Sequence, residues 1–166
     1  MKWSLYEGGI REPFLVRWPG RVPAGQVNRS TVLHALDLFP SLCRIAGVEL
    51  PKDVPFDGED LSGAVLGQEV SRRRPVFWEY GRNARFLYPQ AMGDRSPRVA
   101  VRAGHWRLLL NADGSACELY DLAADPAEAV NRAEREPEVV QGMSRAALEW
   151  RPSLIVPAPG AAAARP

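Results

Sequence analysis

Apolar side chains recur every three to four positions in two segments of the chain, which is the spacing of a helix with one buried face. The first segment predicts a helix over 38–46, with Asp37 as its N-cap and Gly47 as its C-terminal stop. The residues at helical spacing are Leu36, Phe39, Leu42, Cys43 and Ala46. The second predicts a helix that begins near Pro137. Its apolar face comprises Val139, Val140, Met143, Ala147 and Trp150. A shorter helix is expected at about 61–66.

Runs of β-branched and aromatic residues predict short strands in two other parts of the chain. The first run, from Phe14 to Trp18, predicts a buried strand that ends at the following Pro-Gly pair, and residues 29–34 are a candidate for another. In the second part, strands are expected at 76–80, 98–102, 106–110 and 117–122. A turn sequence, Asn-Ala-Asp-Gly, separates the last two of these strands. This arrangement predicts a small antiparallel sheet.

Two short motifs predict changes of chain direction. Glu7-Gly8-Gly9 predicts a turn, because paired glycines allow positive φ and close backbone approach. Asp125-Pro126-Ala127-Glu128 predicts the start of a helix, since it offers an N-cap Asp, a Pro at the first helical position and a Glu at the third. The polar residues 81–96 show no regular period and predict a long loop.

These elements divide the chain into three parts. Residues 1–70 predict the last strand and helix of a larger α/β sheet. Residues 71–151 predict a smaller subdomain, an antiparallel sheet covered by a helix. Residues 152–166 are rich in Pro and Ala and predict a disordered tail.

The overall composition excludes several classes of protein. Of the 166 residues, 46% are hydrophobic and 25% are charged, which is typical of a soluble globular protein. The net charge of +1 argues against a dedicated nucleic-acid surface. No segment is long and apolar enough to span a membrane, and residues 2–8 lack the apolar core of a signal peptide. If a longer parent protein is exported, we expect its signal upstream of this chain.

The use of lysine is unusual. The basic residues are 19 Arg and only 2 Lys. Lys2 therefore stands out, because a compact ammonium serves purposes that a planar guanidinium cannot. Lys52, in a Pro-flanked loop, shows that a lysine also persists here without such a purpose.

The chain has two cysteines and two histidines. Cys43 and Cys117 form neither a disulfide framework nor a metal-ligand pattern, and Cys43 is expected as a small core residue on its helix. His34 and His105 titrate near neutrality and could act as acids, but a structural or surface role is expected for both.

The first twenty residues contain a motif, formed by Lys2, Glu7, Gly8, Gly9, Arg11, Pro13, Trp18, Pro19 and Gly20. These positions match the pattern Gly-x-Lys-x-x-x-x-Glu-Gly-Gly-x-Arg-x-Pro, then a strand, then Trp-Pro-Gly. The segment therefore resembles the late active-site segment of type I sulfatases, the formylglycine-dependent sulfate-ester hydrolases.

Four further blocks resemble the family, in the family's order. They are Asp37-Leu38-Phe39-Pro40-Ser41-Leu42, Ala46-Gly47, Phe56-Asp57-Gly58-Glu59-Asp60-Leu61, and Glu118-Leu119-Tyr120-Asp121-Leu122 with Asp125-Pro126, Glu128 and Asn131. The resemblance covers nearly the whole chain and is closest to the arylsulfatase and N-acetylgalactosamine-6-sulfatase-like group. It implies an α/β fold of the alkaline-phosphatase type, present in part: the end of the large sheet and a small C-terminal antiparallel sheet with a packed helix.

The resemblance also implies what the chain lacks. Sulfatases oxidise a Cys or Ser in Cys-x-Pro/Ala-x-Arg to formylglycine, and neither Cys43 nor Cys117 stands in that motif. The Asp and Asn ligands of the family's calcium ion are also absent, so no metal ligand is assigned here. We therefore interpret the chain as the C-terminal part of a sulfatase, cut or mis-started at Met1, whose N-terminal portion is missing. Such parents are typically exported, periplasmic, extracellular or lysosomal.

The resemblance assigns site residues. It implies a catalytic role for Lys2, which contacts the sulfate group in the family. It makes Glu7, Gly8, Gly9 and Arg11 structural residues beside the site. Substrate binding is considered for the strand end and the long loop, where arginine and tyrosine could grip an anionic sugar. The candidates are Glu79, Tyr80, Arg82, Asn83 and Arg85.

Three functions remain open at this point. The first is the C-terminal part of a calcium-dependent sulfatase acting on sulfated carbohydrates, inactive alone because it lacks the nucleophile and metal ligands. It predicts exposed apolar surface around Phe14–Trp18. The second is a non-catalytic remnant that binds a polyanion or a partner protein. The third is part of a related phosphodiesterase or phosphonate hydrolase, which the Glu-Gly-Gly-x-Arg-x-Pro block disfavours.

Overall fold

The structure is a computed structural model that describes residues 3–81, 89 and 91–154. Its contacts divide the chain into two compact units. One contains the residues up to Ile10 and those from Phe77 onward, and the other is Arg11–Val76. The division at 70 and 151 drawn from the sequence stays a prediction about subdomains. Most of the tail predicted as disordered, from residue 155, lies outside the described residues.

The described residues form four helices and a four-stranded sheet. The helices are α1 (Glu7–Ile10), α2 (Leu38–Ala46), α3 (Ser62–Val65) and α4 (Pro137–Trp150). The strands are β1 (Val76–Glu79), β2 (Val99–Ala103), β3 (Trp106–Leu110) and β4 (Glu118–Asp121). Short 3₁₀ helices lie at Ala35–Asp37, Met92–Asp94 and Arg151–Ser153.

The sheet has the strand order β1-β2-β3-β4. β2 and β3 pair antiparallel with Val101 opposite Leu108, and β3 and β4 pair antiparallel with Leu108 opposite Leu119. The predicted antiparallel sheet is thereby confirmed, with strand bounds within two residues of those expected. Gly104 closes the β2–β3 turn with a φ of 58°, a conformation that glycine adopts without strain.

Each face of the sheet is covered by a different part of the chain. One face packs on α4, whose Met143 and Ala147 are buried in the core. The sheet contributes Val99, Val101, Leu108, Leu110 and Leu119 to this core. The other face is covered by the N-terminal segment, which adds Leu5, Tyr6 and Ile10 to Ala100, Leu109, Tyr120 and Leu122. The strands are therefore apolar on both faces, and alternation alone would not have shown this.

Two of the predicted turns and helix starts are wrong. Glu7-Gly8-Gly9 is not a positive-φ turn but the beginning of α1. Residues 125–128 do not begin a helix: the carboxylate of Asp125 accepts the N–H of Val130 at 2.8 Å, and Glu128 has a φ of 55°. The Asp-Pro pair therefore closes a loop, because the Glu128 side chain is needed in the interior and the backbone bends to place it there.

In the second unit, helix α2 has the predicted bounds, and Gly47 ends it with a φ of 70°. Asp37 precedes the helix, but its buried carboxylate does not cap it. Instead the carboxylate accepts the N–H groups of His34 at 2.7 Å and Glu59 at 2.8 Å and forms an ion pair with Arg72. The loop before α3 is thus tied to the N-terminal end of α2.

The strand predicted from Phe14 to Trp18 does not form. The segment has no regular secondary structure and pairs with no strand in the described part of the chain, and its apolar side chains are exposed, Leu15 by 90%. Residues 29–34 form no strand either. A strand needs a neighbour to receive its backbone hydrogen bonds, and neither segment has one here. The exposure matches the apolar surface expected around Phe14–Trp18.

The apolar face predicted for α2 is also exposed. Leu36, Phe39 and Leu42 are each about half accessible, whereas the buried residues of α2 are Pro40 and Ser41. Cys43 is half-buried and is therefore not the core residue expected from the sequence. Within the described ranges, no helix has the length and apolarity that crossing a bilayer requires.

We expect the change Gly58→Ala to destabilise the second unit. An added Cβ would overlap the carbonyl group of Leu36 and lie 2.9 Å from the amide nitrogen of Asp37, and backbone atoms cannot move aside cheaply. The free energy of unfolding should fall by about 1–3 kcal/mol, measured by urea denaturation with hydrogen exchange read out in each unit. Gly142→Ala is the control, since no atom lies within 4 Å of its added Cβ in α4. It should raise stability by about 0.5–1 kcal/mol. Equal stability of the Gly58→Ala variant and the parent would contradict the close packing.

Candidate functional site

The segment that follows Lys2 is fixed on the sheet. Lys2 itself lies outside the described residues. Ser4 and Leu5 are buried, and the N–H of Leu5 donates to Ser96 Oγ at 2.8 Å. Glu7 begins α1, and its N–H donates to Glu128 Oε2 at 2.6 Å. The chain is thus held within a few residues of the lysine that the sequence singles out.

Arg107 is the centre of the contacts that hold this segment. It lies on β3 with its side chain only 1% exposed. Nη1 lies 2.7 Å from Glu7 Oε2, and Nη2 donates to the carbonyl of Leu5. Nε lies 3.1 Å from Glu128 Oε1, an ion-pair contact whose angle falls short of a hydrogen bond. The guanidinium also lies over the Trp78 ring, 5.4 Å from its centroid. A buried charge is tolerated only with such partners.

Two carboxylates share the one guanidinium. Burial raises the pKa of Glu128, although the hydrogen bond from Glu7 N–H and the charge of Arg107 oppose this shift. Burial lowers the pKa of Arg107, and the charges of Glu128 and Glu7 oppose that shift in turn. Arginine keeps its proton in proteins, so the cluster contains a permanent positive charge. We define Glu7, Arg107 and Glu128 as the Arg107 cluster.

A second polar group lies on the same face of the sheet. The phenols of Tyr6 and Tyr120 both donate to Glu118 Oε2, at 2.8 Å and 2.9 Å. Their rings meet edge to face, with centroids 6.4 Å apart. Burial, together with the charge and hydrogen bond of Glu118, raises the pKa of both tyrosines. Both phenols therefore act as donors and stay neutral at physiological pH.

The residues that the sequence assigns to the site do not all lie together in the structure. Glu7 belongs to the Arg107 cluster, while Gly8 and Gly9 lie in α1 and Arg11 is an exposed residue of the other unit. Of the substrate-binding candidates, Glu79 forms an ion pair of 2.9 Å with Arg151, and the N–H of Tyr80 donates to the carbonyl of Arg98 at 2.8 Å. The remaining candidates, Lys2, Arg82, Asn83 and Arg85, lie outside the described residues.

Sequence reasoning missed Arg107, the residue on which the cluster depends. It was included only as part of a predicted strand. A signal was nevertheless present, because Arg107 stands inside the run Trp106–Leu110, where every other residue is apolar. A charged residue at an interior position of an apolar strand has to be paired if it is buried. Glu118 was noticed only in a predicted strand and in a resembling block, and Glu128 only in that block and as the third residue of a predicted helix start.

The described residues do not fit a calcium ion or formylglycine. They include no group of three or more His, Cys, Asp or Glu side chains placed to hold a metal. The carboxylates of Glu7 and Glu128 are already engaged by Arg107. Both cysteines are half-buried, and Cys117 Sγ lies 3.4 Å from the carbonyl oxygen of Gly114. We therefore derive no step that uses a metal or an oxidised cysteine of this chain.

The histidines serve the local structure. His34 Nδ1 accepts the N–H of Leu36 at 3.2 Å, and burial lowers the pKa of this imidazole. It is therefore a neutral acceptor that holds the start of the 3₁₀ turn. His105 is exposed in the β2–β3 turn, where its ring contacts that of Trp106 with centroids 4.8 Å apart.

Comparison with known proteins identifies the family to which the chain is similar. The family model described as N-sulphoglucosamine sulphohydrolase, C-terminal, matches residues 1–150. The N-acetylgalactosamine-6-O-sulfatase of Bacteroides thetaiotaomicron is 30% identical over 143 residues, which are 86% of this chain and 28% of that protein. Human arylsulfatase A is 33% identical over 172 residues, 89% of this chain and 32% of that protein. The chain thus spans about a third or less of these relatives.

Solved structures agree. A structure from work on the metabolism of multiple glycosaminoglycans by Bacteroides thetaiotaomicron matches with a TM-score of 0.66 at 27% identity. The match covers 92% of this chain and 31% of that one. A structure in complex with its substrate, D-glucosamine-2-N,6-O-disulfate, matches with a TM-score of 0.53 at 21% identity over 82% of this chain and 27% of that one. That second likeness concerns the fold alone.

We expect Tyr6 and Tyr120 to ionise only well above the ordinary tyrosine pKa of about 10. Because their pKa values are raised in the folded state, their contribution to stability is complete below pH ~10 and is lost as the pH rises beyond it. The tyrosinate absorbance of these two phenols should therefore appear only well above pH ~10, and it should coincide with unfolding. Tyr6→Phe and Tyr120→Phe should each remove part of that absorbance. Glu118→Gln should lower both pKa values part of the way, since burial remains. If both phenols ionised near pH ~10 in the folded protein, this would contradict the hydrogen bonds that both donate to Glu118.

Proposed function

The chain belongs to the sulfatase family, and we propose that it is the C-terminal portion of an enzyme that hydrolyses sulfate esters of carbohydrates. Membership confirms the resemblance seen in the sequence and the fold class that it implied, a partial α/β fold of the alkaline-phosphatase type. The small antiparallel sheet with its packed α4 agrees with that fold, and we propose that it forms the C-terminal subdomain.

The observation that carries the proposal is the anchoring of the segment beside Lys2. The carbonyl of Leu5 and the carboxylate of Glu7 are held by Arg107, and the N–H of Glu7 is held by Glu128. Transfer of a sulfuryl group moves negative charge onto the sulfate oxygens and the leaving oxygen. A fixed ammonium near those oxygens stabilises that charge. We assign this role to Lys2, which lies three residues before Leu5.

The exposed apolar residues support the place of this chain in a larger enzyme. The exposed apolar side chains are those of Phe14, Leu15, Val16 and Trp18 and, around α2, those of Leu36, Phe39 and Leu42. Large apolar patches are rare on the surface of a soluble monomer and mark surfaces that another part covers. We propose that the missing N-terminal sulfatase portion covers them. That portion would also supply calcium ligands and formylglycine, which the family resemblance implies and this chain does not contain.

The substrate is proposed from a relative's name. The Bacteroides thetaiotaomicron protein acts, by its name, on a 6-O-sulfated N-acetylgalactosamine. We extend from it only the class, a sulfated sugar. We propose that Tyr80 and the segment containing Arg82, Asn83 and Arg85 contribute to sugar binding. Glu79 is the weakest of the five candidates, because its carboxylate already pairs with Arg151.

The test joins the chain to a functional N-terminal portion. The chain alone should release no phenol from an aryl sulfate. A fusion of the N-terminal portion of the Bacteroides thetaiotaomicron sulfatase to this chain should hydrolyse aryl sulfate or a 6-O-sulfated N-acetylgalactosamine. In that fusion Lys2→Ala should lower kcat by about 10²- to 10³-fold, the range for loss of one charge-stabilising group. Lys52→Ala is the matched control, since it removes the only other lysine, and should change kcat less than about twofold.

Three results would contradict the proposal. Activity of the chain alone would mean that it contains its own nucleophile. A folded fusion without activity would favour a remnant that binds a polyanion or a partner. A fusion that hydrolyses phosphodiesters or phosphonates but no sulfate ester would favour the related hydrolases.

A further inference from the structure

Arg107 and Glu128 hold the short segment Leu5–Glu7 at three points. Arg107 Nη2 binds the carbonyl of Leu5, Nη1 binds the carboxylate of Glu7, and Glu128 binds the N–H of Glu7. The segment's other backbone contacts are to neutral groups: the N–H of Leu5 donates to the hydroxyl of Ser96, and that of Tyr6 donates to Ser4 at 3.2 Å. The Tyr6 side chain adds one charge-assisted bond, to Glu118 at 2.8 Å. Charge-assisted hydrogen bonds are about twice as strong as neutral ones, so the three contacts of Arg107 and Glu128 contribute most of the anchoring of the backbone.

The contacts require an arginine at position 107. Three partners surround the guanidinium in different directions, namely a carbonyl and the carboxylates of Glu7 and Glu128. The planar fork of arginine can address all three at once, and it also lies over the face of Trp78. A lysine ammonium would keep the charge but not this set of directions. The Arg107→Lys variant therefore tests whether a positive charge alone is sufficient or whether the directions of the guanidinium donors are also required.

We propose that Arg107 is a positioning residue for sulfate-ester hydrolysis, which acts by fixing Leu5–Glu7 and hence the backbone that leads to Lys2. The inference rests on the proposed function. Arg107 is buried, so we assign it no direct contact with the substrate. Glu128 has the same role from the other side of the segment, since it holds both Arg107 and the N–H of Glu7.

The first experiment uses the full chain and does not depend on activity. Hydrogen exchange is followed by mass spectrometry in a peptide that covers residues 3–9 and in peptides from α4 and β2. Arg107→Lys and Glu128→Gln should each raise the exchange rates of the Leu5 and Glu7 amides by about tenfold or more, because one charge-assisted bond is lost. Exchange in α4 should change less than about threefold. Arg145→Met is the control, an exposed arginine on α4, and should change neither.

The second experiment is a double-mutant cycle in the active fusion. With Lys2 present, Arg107→Lys should lower kcat by about 10- to 100-fold, the effect expected of a catalytic group misplaced by about an ångström. With Lys2→Ala, the same change should lower kcat less than about threefold further, since there is no ammonium left to misplace. A residue that only stabilises the fold would lower kcat by the same factor in both backgrounds.

The outcomes separate the two proposals. Additive losses in the cycle, or exchange of Leu5 and Glu7 unchanged in both variants, would overturn the positioning role. If Lys2→Ala leaves the fusion fully active, the proposed function of Lys2 fails, whereas faster exchange in the chain alone would still show that Arg107 anchors the segment. If Arg107→Lys does not fold, Glu128→Gln provides the cycle, because it keeps the side-chain volume and the arginine.

Discussion

The fold of the sheet-containing unit depends on the need to compensate one buried positive charge. Arg107 stands on β3, where its neighbours Leu108 and Leu109 are fully buried. An unpaired guanidinium at that position would cost several kcal/mol. The chain supplies the partners from two distant places, Glu7 near one end and Glu128 after β4. This pairing explains the positive φ of Glu128 and the seating of α1 on the sheet, both of which bring a carboxylate to the same cation.

The second unit uses the same principle with the charges reversed. Asp37 is a buried carboxylate, and its partners are the N–H groups of His34 and Glu59 and the guanidinium of Arg72. Ser41 extends the tie by accepting the N–H of Leu61 at 2.8 Å. The two sequence blocks at 37–42 and 56–61 are therefore two halves of one structural connection. Their polar residues serve the loop geometry, and Gly58 is small because the backbone of Leu36 lies against it.

The local sequence pattern correctly predicted those helices and strands that need few distant contacts or that pack against another part of this chain. Helix α4 and the sheet were found because spacing and β-propensity agreed with the packing. Helix α2 has the predicted bounds, although its apolar face is exposed and the Asp37 side chain does not cap it. The strand at Phe14–Trp18 was wrong because its apolar residues face no partner within the described chain, and hydrophobic pattern cannot show whether a partner exists. The helix start at Asp125 was wrong because the tertiary demand on Glu128 overrides a good local motif. The candidate site shows the same limit: a motif located Glu7, but only the fold brings Glu7, Arg107 and Glu128 together.

The N-terminal cover of the sheet also sets the order of events during synthesis. The contact of Leu5 with Arg107 spans 102 residues, and that of Glu7 with Glu128 spans 121. Leu5 and Glu7 must therefore remain without these partners until more than a hundred further residues have been made. At ~5–20 residues per second this interval lasts on the order of ten seconds. During it, the apolar side chains of Leu5, Tyr6 and Ile10 have no sheet to cover, which makes this short segment a natural target for chaperones that hold nascent chains.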